Sequence, residues 1–157
     1  MNLLAPTAIL HRGEMRIVHF QLEEMNLAAD VEDIQAICWA FPIIQTPDMP
    51  DYVEGELAYR DTRVPVVNLR SLLGKTPRRL DEDMRVLVMQ TRKGSVGVLV
   101  DKLHKVIKLP PGAVMPPSTE DPEYVSGVIP GCNLLLPDFE RLIDRLDEDY
   151  SGEHFER

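Results

Sequence analysis

The sequence predicts an all-β fold arranged as two small, related β-barrels, and three observations carry that expectation. Short apolar runs bounded by Pro, Gly and Asp recur through most of the 157 residues, whereas helical periodicity is scarce until the end. Thirteen prolines are spread along the chain, and each interior proline costs a helix about 3 kcal/mol by removing a hydrogen bond and clashing with the preceding turn. Finally, Pro-Asp-Tyr-Val-Glu-Gly at positions 50–55 is answered by Pro-Glu-Tyr-Val-Ser-Gly at positions 122–127. Common turn chemistry can produce a six-residue match. Here, however, each copy is followed by apolar strand material and then a short helical patch, so duplication of a sub-barrel is the more economical explanation. Closing strands into barrels also leaves few exposed sheet edges.

The elements follow in order. Val18, Phe20 and Leu22 alternate with His19, Gln21 and Glu23, which puts the apolar set on one face of a strand and the polar set toward water. Residues 64–69 are almost continuously apolar and are expected to lie deeper. Residues 84–89 and 96–100 read as a strand pair whose connection contains Gly94, a residue that permits a hairpin turn. Residues 103–109 read as a further strand. Two short helices are expected: a single turn at 69–73, and 138–147, where Phe139, Leu142, Ile143 and Leu146 fall on one stripe and Asp138 suits the N-cap. The ends, 1–14 and 148–157, lack periodic apolar content and are expected as loose tails. The domain then spans 15–147, with a first sub-barrel at about 15–80 and a second, carrying the last helix, at about 81–147.

Composition narrows the function. With 44% apolar residues the chain supports one ordinary core or two small abutting ones. A net charge of -9 opposes binding to nucleic acid or an anionic membrane and favours protein partners. No apolar stretch approaches the roughly 18 to 20 residues that cross a bilayer, and residues 1–17 lack the pattern of a secretion signal. A cytoplasmic location without membrane insertion is therefore expected. Cys38 and Cys132 form neither a C-x-x-C pair nor a Cys/His cluster, so idle thiols are expected and zinc or a disulfide is not. The basic stretches 75–79 and 102–108 read as solvated faces.

No catalytic constellation emerges. His11, His19, His104 and His154 are solitary in sequence, and the acidic groups Glu23-Glu24, Glu32-Asp33 and Asp81-Asp83 sit in polar stretches where solvation explains them. Leu73-Gly74-Lys75-Thr76 lacks the upstream glycine of a phosphate-binding loop. No catalytic residue, metal or cofactor is expected.

Three segments together resemble a known family. PDYVEGELAYRDTRVPVVNLRSLLG at 50–74, SVGVLVDKLHKVIKL at 95–109 and PEYVSGVIPGCNLLLPDFERLI at 122–143 follow an opening HFQL strand in the order found in CheW coupling proteins. Any one of these motifs would be weak, but the ordered set covers positions 18–146. The resemblance implies two five-stranded SH3-like subdomains packed side by side. It also implies a non-enzymatic adaptor, with one surface for the cytoplasmic tip of a methyl-accepting chemoreceptor and another for the regulatory domain of a CheA-type histidine kinase, recruited to membrane receptor arrays. Within the same class, a CheW-like subunit of a specialised array, such as one for pilus motility, fits as well. From a different class, an SH3-like RNA-binding module is disfavoured by the acidic charge and the lack of an aromatic-basic platform.

The resemblance also suggests binding residues. Arg60 falls on the arginine of the family's Arg-Gly element, Gly55 on the glycine opening that strand, Gly97 on the glycine of the Val-Gly strand, and Ile34 and Ile37 on apolar positions facing the receptor groove. Arg60 offers a planar donor fork to a partner, or else braces the adjacent Asp61. Gly55 suits a tight backbone turn, and Gly97 either a bulge or a place where another chain approaches. Trp39 and Phe41 lie in an expected loop, either as interface anchors or folded back onto the core. Two departures stand out: Ala58-Tyr59-Arg60-Asp61 replaces the usual Asn-Leu-Arg-Gly, and Asn68 replaces an aspartate before the Leu-Arg helix.

Overall fold

The structure, a computed structural model, describes residues 14–45 and 47–149. Strands β1 (Met15–Leu22) and β2 (Met25–Asp30) form a hairpin, and a 3-10 turn at Val31–Asp33 leads into β3 (Ile34–Trp39). Then come β4 (Val53–Tyr59), β5 (Thr62–Asn68) and the one-turn helix α1 (Leu69–Leu72). The second half repeats the plan with β6 (Arg85–Thr91), β7 (Gly94–Val100), β8 (Lys102–Leu109), β9 (Val125–Ile129), β10 (Leu134–Pro137) and the helix α2 (Phe139–Asp149). The expected all-β class holds, with two five-stranded sheets in the orders β8-β1-β2-β10-β9 and β3-β6-β7-β5-β4.

Each sheet closes on itself through one bridge, Met115 to Val128 in the first and Ile44 to Glu56 in the second. The repeat is structural as well as sequential. Val53 N–H donates to Pro50 O at 2.9 Å and Val125 N–H to Pro122 O at 3.1 Å, while Asn68 N–H and Asp138 N–H donate to Tyr52 O and Tyr124 O, both at 2.6 Å.

The expected division into a first sub-barrel at 15–80 and a second at 81–147 is not what the strands do. β1 and β2 pair with β8, β9 and β10, whereas β3, β4 and β5 pair with β6 and β7. Each barrel therefore takes two strands from one repeat and three from the other. The chain crosses between barrels at the 3-10 turn and again at Asp101, where β7 gives way to β8. A repeat in sequence establishes two like units, but the strand that completes each hydrogen-bond ladder is chosen by tertiary pairing.

Three apolar clusters explain why so many strands are buried on both faces. The largest joins the barrels: Phe20, Leu22, Leu27 and Ala29 from one sheet meet Val53, Val67, Leu87, Met89, Val96, Val98 and Val100 from the other, with Leu142 and Ile143 of α2. A second cluster, including Leu57, Val64, Val66, Val86, Val88 and Leu99, belongs to the β3–β7 barrel. A third, including Met15, Ile17, Leu109, Ile129 and Leu134, belongs to the other barrel. Positions 64–69 are buried throughout, as their continuous apolar run requires. Each fully buried Leu, Val or Phe contributes about 1.5–3 kcal/mol from area removed from water.

Local elements follow their sequence signals closely. The β6–β7 hairpin pairs Thr91 with Gly94, which has φ 109°. Asp138 caps α2 by accepting the Arg141 N–H at 3.0 Å. That helix reaches Asp149, beyond the expected end at 147; the side chain of Leu146 and the tail residues 1–13 and 150–157 lie outside the described residues. The register between β1 and β8 shifts where Val18 faces Val106 and Phe20 faces Leu103, so β8 carries an extra residue at His104 and Lys105, while β1 keeps its alternation through His19 against β2.

Candidate interaction surface

The hallmark segments meet first in a buried ionic cluster that sequence reasoning missed. Asn68 ends β5 and caps α1, its Oδ1 accepting the N–H of Arg70 at 3.0 Å and of Ser71 at 3.4 Å. This cap aims Arg70 across the inter-barrel seam, where Nε donates to Asp101 Oδ1 at 2.9 Å and Nη2 to Asp101 Oδ2 at 2.5 Å. Nη1 donates to Thr76 O at 2.9 Å and to the carboxylate of Glu23. The Asp101 carboxylate also accepts the Glu23 N–H at 2.7 Å. The Arg70 side chain is 4% exposed, and the hydrogen bond to Asp101, first among several contacts, holds its pKa above the ordinary arginine value. Glu23 is thus tied to a buried cation rather than simply solvated as expected. The arrangement locks the β1–β2 turn, α1 and the β7–β8 crossover together.

The two departures from the family pattern have physical explanations. Asn68 Nδ2 donates to Glu54 Oε1 at 3.0 Å, a bond that an aspartate cannot make. Arg60 and Asp61 are the two central residues of the β4–β5 hairpin, with φ 50° and 64°, and Asp is among the side chains that tolerate this left-handed region.

The expected site residues do not form one cluster. Arg60 is exposed at the hairpin tip, its guanidinium carbon 5.3 Å from the centre of the Tyr59 ring. Gly55 is internal: a Cβ there would lie 2.3 Å from Ile44 O, the backbone that closes the barrel. Gly97 is also internal, since a Cβ would meet Val86 Cγ1 at 2.7 Å and Val66 Cγ2 at 3.1 Å. The idea that Gly97 leaves space for another chain is therefore corrected, because its own barrel occupies that volume. Ile34 is half-buried against the shared core. Ile37 and Trp39 are exposed, with Phe41 and Ile44 nearby in sequence and also exposed. Trp39 ends β3 rather than lying in a loop, and the Arg85 guanidinium stacks 4.0 Å from its ring centre. The aromatics do not fold back onto the core.

A second surface was not anticipated. Beside the 3-10 turn that links the barrels, Glu14, Arg16, Val31, Glu32 and Lys108 line an open depression of about 290 Å³. Val106, 54% exposed, lies two residues before Lys108 and opposite Val18 of β1. The signal available in the sequence was the exposed valine within the basic run 102–108. A smaller depression of about 160 Å³ lies on the seam between the barrels, lined in part by Met89, Thr91, Ser126 and Phe139.

Among the described residues no group of three His, Cys, Asp or Glu side chains is placed to hold a metal. Burial pushes the Cys38 thiol up, away from the reactive thiolate. No helix among the described residues is long and apolar enough to cross a membrane.

Comparison with known proteins agrees with this picture. The chain is 32% identical over 98 residues to a chemotaxis protein CheW of Thermotoga maritima, a match covering 61% of this chain and 63% of that protein, just under two thirds of its length. It is 25% identical over 130 residues to the chemotaxis protein CheW of Klebsiella aerogenes, covering 79% and 78% of the two chains. The crystal structure of the scaffolding protein TtCheW from Thermoanaerobacter tengcongensis superposes with a TM-score of 0.73 at 25% identity, over 82% of this chain and 91% of that one. The model of the CheW-like domain matches residues 16–147. Paired barrels closed by equivalent bridges, repeated caps and this match over most of the length together establish that the chain belongs to the CheW-like domain family.

Proposed function

We propose that this protein is a non-enzymatic signalling adaptor that couples the cytoplasmic tip of a methyl-accepting chemoreceptor to the regulatory domain of a CheA-type histidine kinase, working in the cytoplasm at receptor arrays. The observation that carries this reading is a pair of separate surfaces on one continuous core: the charged depression beside the 3-10 turn, which holds Val31 and has the exposed Val106 two residues from Lys108, and the exposed apolar side chains Trp39, Phe41 and Ile44. Two partners held on one frame are coupled by geometry alone. The receptor helices lie along the depression and use Ile34 and Ile37 of the strand that follows it, with Arg60 contributing its donor fork. The kinase domain docks on Trp39, Phe41 and Ile44. Central anchors of this kind contribute about 1–3 kcal/mol each on truncation, and rim charges tune rate and partner choice.

The test is a titration with the kinase regulatory domain and the receptor tip fragment encoded in the same genome. Val106→Asp is expected to weaken receptor binding by at least about ten-fold while leaving kinase binding intact, and Trp39→Asp to do the reverse. Arg60→Glu is expected to weaken the receptor complex with an unchanged melting profile. Absence of binding to both partners at about 50 µM, weaker than a standard interface gives, would overturn the reading.

A further inference from the structure

We infer that the segment occupying the depression formed by β1, β8 and the 3-10 turn is acidic, so that this adaptor selects a receptor helix carrying carboxylates beside an apolar stripe. The inference rests on the reading above that the depression takes a receptor tip. On a chain of net charge -9, the face formed by β1 and β8 is locally positive. Arg16, Lys102, Lys105 and Lys108 are all exposed. Among the described residues no carboxylate lies in ion-pair range of any of them, as is also true of the scattered Arg60 and Arg79, whereas the exposed cations Arg63, Arg78, Arg92 and Arg141 each have one.

Arg16 and Lys108 are also direct cross-strand partners. Like charges set opposite each other weaken a strand pair, and among the described residues neither has a carboxylate partner, so their use points outward. Glu14 and Glu32 line the same depression. Together they balance the charge of the lining, and the positive strip is the stretch 105–108 of β8 beside it, with Lys105 and Lys108. Val106 lies within that strip. An exposed apolar side chain flanked by unpaired cations complements an amphipathic helix with acidic flanks. A nucleic-acid backbone offers no apolar counterpart to Val106, and it would meet the repulsion of the whole chain.

The experiment measures the affinity of the full chain for the receptor tip fragment between about 0.05 and about 0.5 M salt, a range that shortens the screening length severalfold. Four proteins are compared: wild type, Arg16→Glu/Lys108→Glu, Arg79→Glu as an exposed charge change elsewhere, and Val106→Asp. The double reversal is expected to weaken binding about ten-fold or more at low salt and to flatten the salt dependence, while Arg79→Glu stays close to wild type. A receptor fragment with its Asp and Glu changed to Asn and Gln should lose affinity for wild type to a similar degree. If Val106→Asp abolishes binding but the double reversal binds as wild type with the same salt slope, the depression is the receptor site and its acidic preference is wrong. If Val106→Asp also binds as wild type, the site itself is elsewhere. Equal or tighter binding to a single-stranded DNA oligomer or to phosphatidylserine vesicles would likewise overturn the assignment to an acidic protein segment.

Discussion

Arg70 shows how a single side chain ties distant parts of this molecule together. Its guanidinium is matched by a bidentate bond to Asp101, the Glu23 carboxylate and the Thr76 carbonyl, all in a seam where the arginine is 4% exposed. Removing one member of a buried ion cluster leaves uncompensated charge, so Arg70→Met is expected to destabilise the fold by about 3–5 kcal/mol, seen as a lower urea midpoint. Arg70→Lys should restore little of this, because an ammonium cannot reproduce the planar fork. A midpoint equal to wild type would show that the cluster contributes nothing net. Arg70 and Asp101 each stood in a recognisable motif, yet their partnership was not legible. They lie 31 residues apart, and only the crossover at Asp101 brings them within bonding distance. Gly55 was legible as a structural turn because its neighbours repeat at Gly127. Gly97 was not, since whether a strand glycine faces a partner or its own core depends on which sheet lies above it.

Among the elements, the β1–β8 strand pair concentrates the most unusual chemistry. His19 and His104 stack across it with ring centres 4.3 Å apart. The first is held by Asn26 Oδ1 at 2.8 Å and the second by Gln21 Oε1 at 2.5 Å. Burial against the strand, then His19 and Lys102, push the His104 pKa below its ordinary 6.5. A depressed histidine means that the unfolded chain takes up its proton more readily. The contribution of His104 is therefore present above pH 6.5 and is lost as pH falls from there through the folded value. An NMR titration should find His104 titrating below 6.5, and His104→Gln should remove that part of the acid sensitivity. A His104 resonance titrating at or above the ordinary value would refute the coupling. The strands themselves were legible from alternation and from continuous apolar runs, as were both helices from stripe and cap. The bulge in β8 was not, because nothing in the residue types around His104 and Lys105 signals the extra residue; it is set by the register against β1.

At the scale of the whole molecule, the duplication was legible and the strand exchange was not. Periodic turn and cap chemistry marks two units, but the hydrogen-bond ladders that decide which strands belong together carry little sequence information. The exchange has a direct consequence for folding. A cut after residue 80 leaves β1 and β2 without β8, and β6 and β7 without β3, so neither half can complete a barrel. Separately produced halves, 1–80 and 81–157, are expected to show no cooperative melting alone and to regain it on mixing, as a stable one-to-one complex followed by circular dichroism and sedimentation. Cooperative melting of either half on its own would show that the shared core and crossed strands are dispensable. The proposed interaction surfaces follow the same division of legibility. The exposed aromatics could be named from the sequence, whereas the depression exists only because β1, β8 and the 3-10 turn are brought side by side.

The position of the chain's one indole has a practical corollary. Trp39 stands 60% exposed at the end of β3, beneath the Arg85 guanidinium. Its emission colour reports wetting at that spot and nowhere else, so a blue shift during titration marks occupancy of the second barrel without any added label. A ligand seated only in the depression of β1, β8 and the 3-10 turn should leave the spectrum unmoved, which makes the native fluorophore a means of telling which of two guests has arrived first.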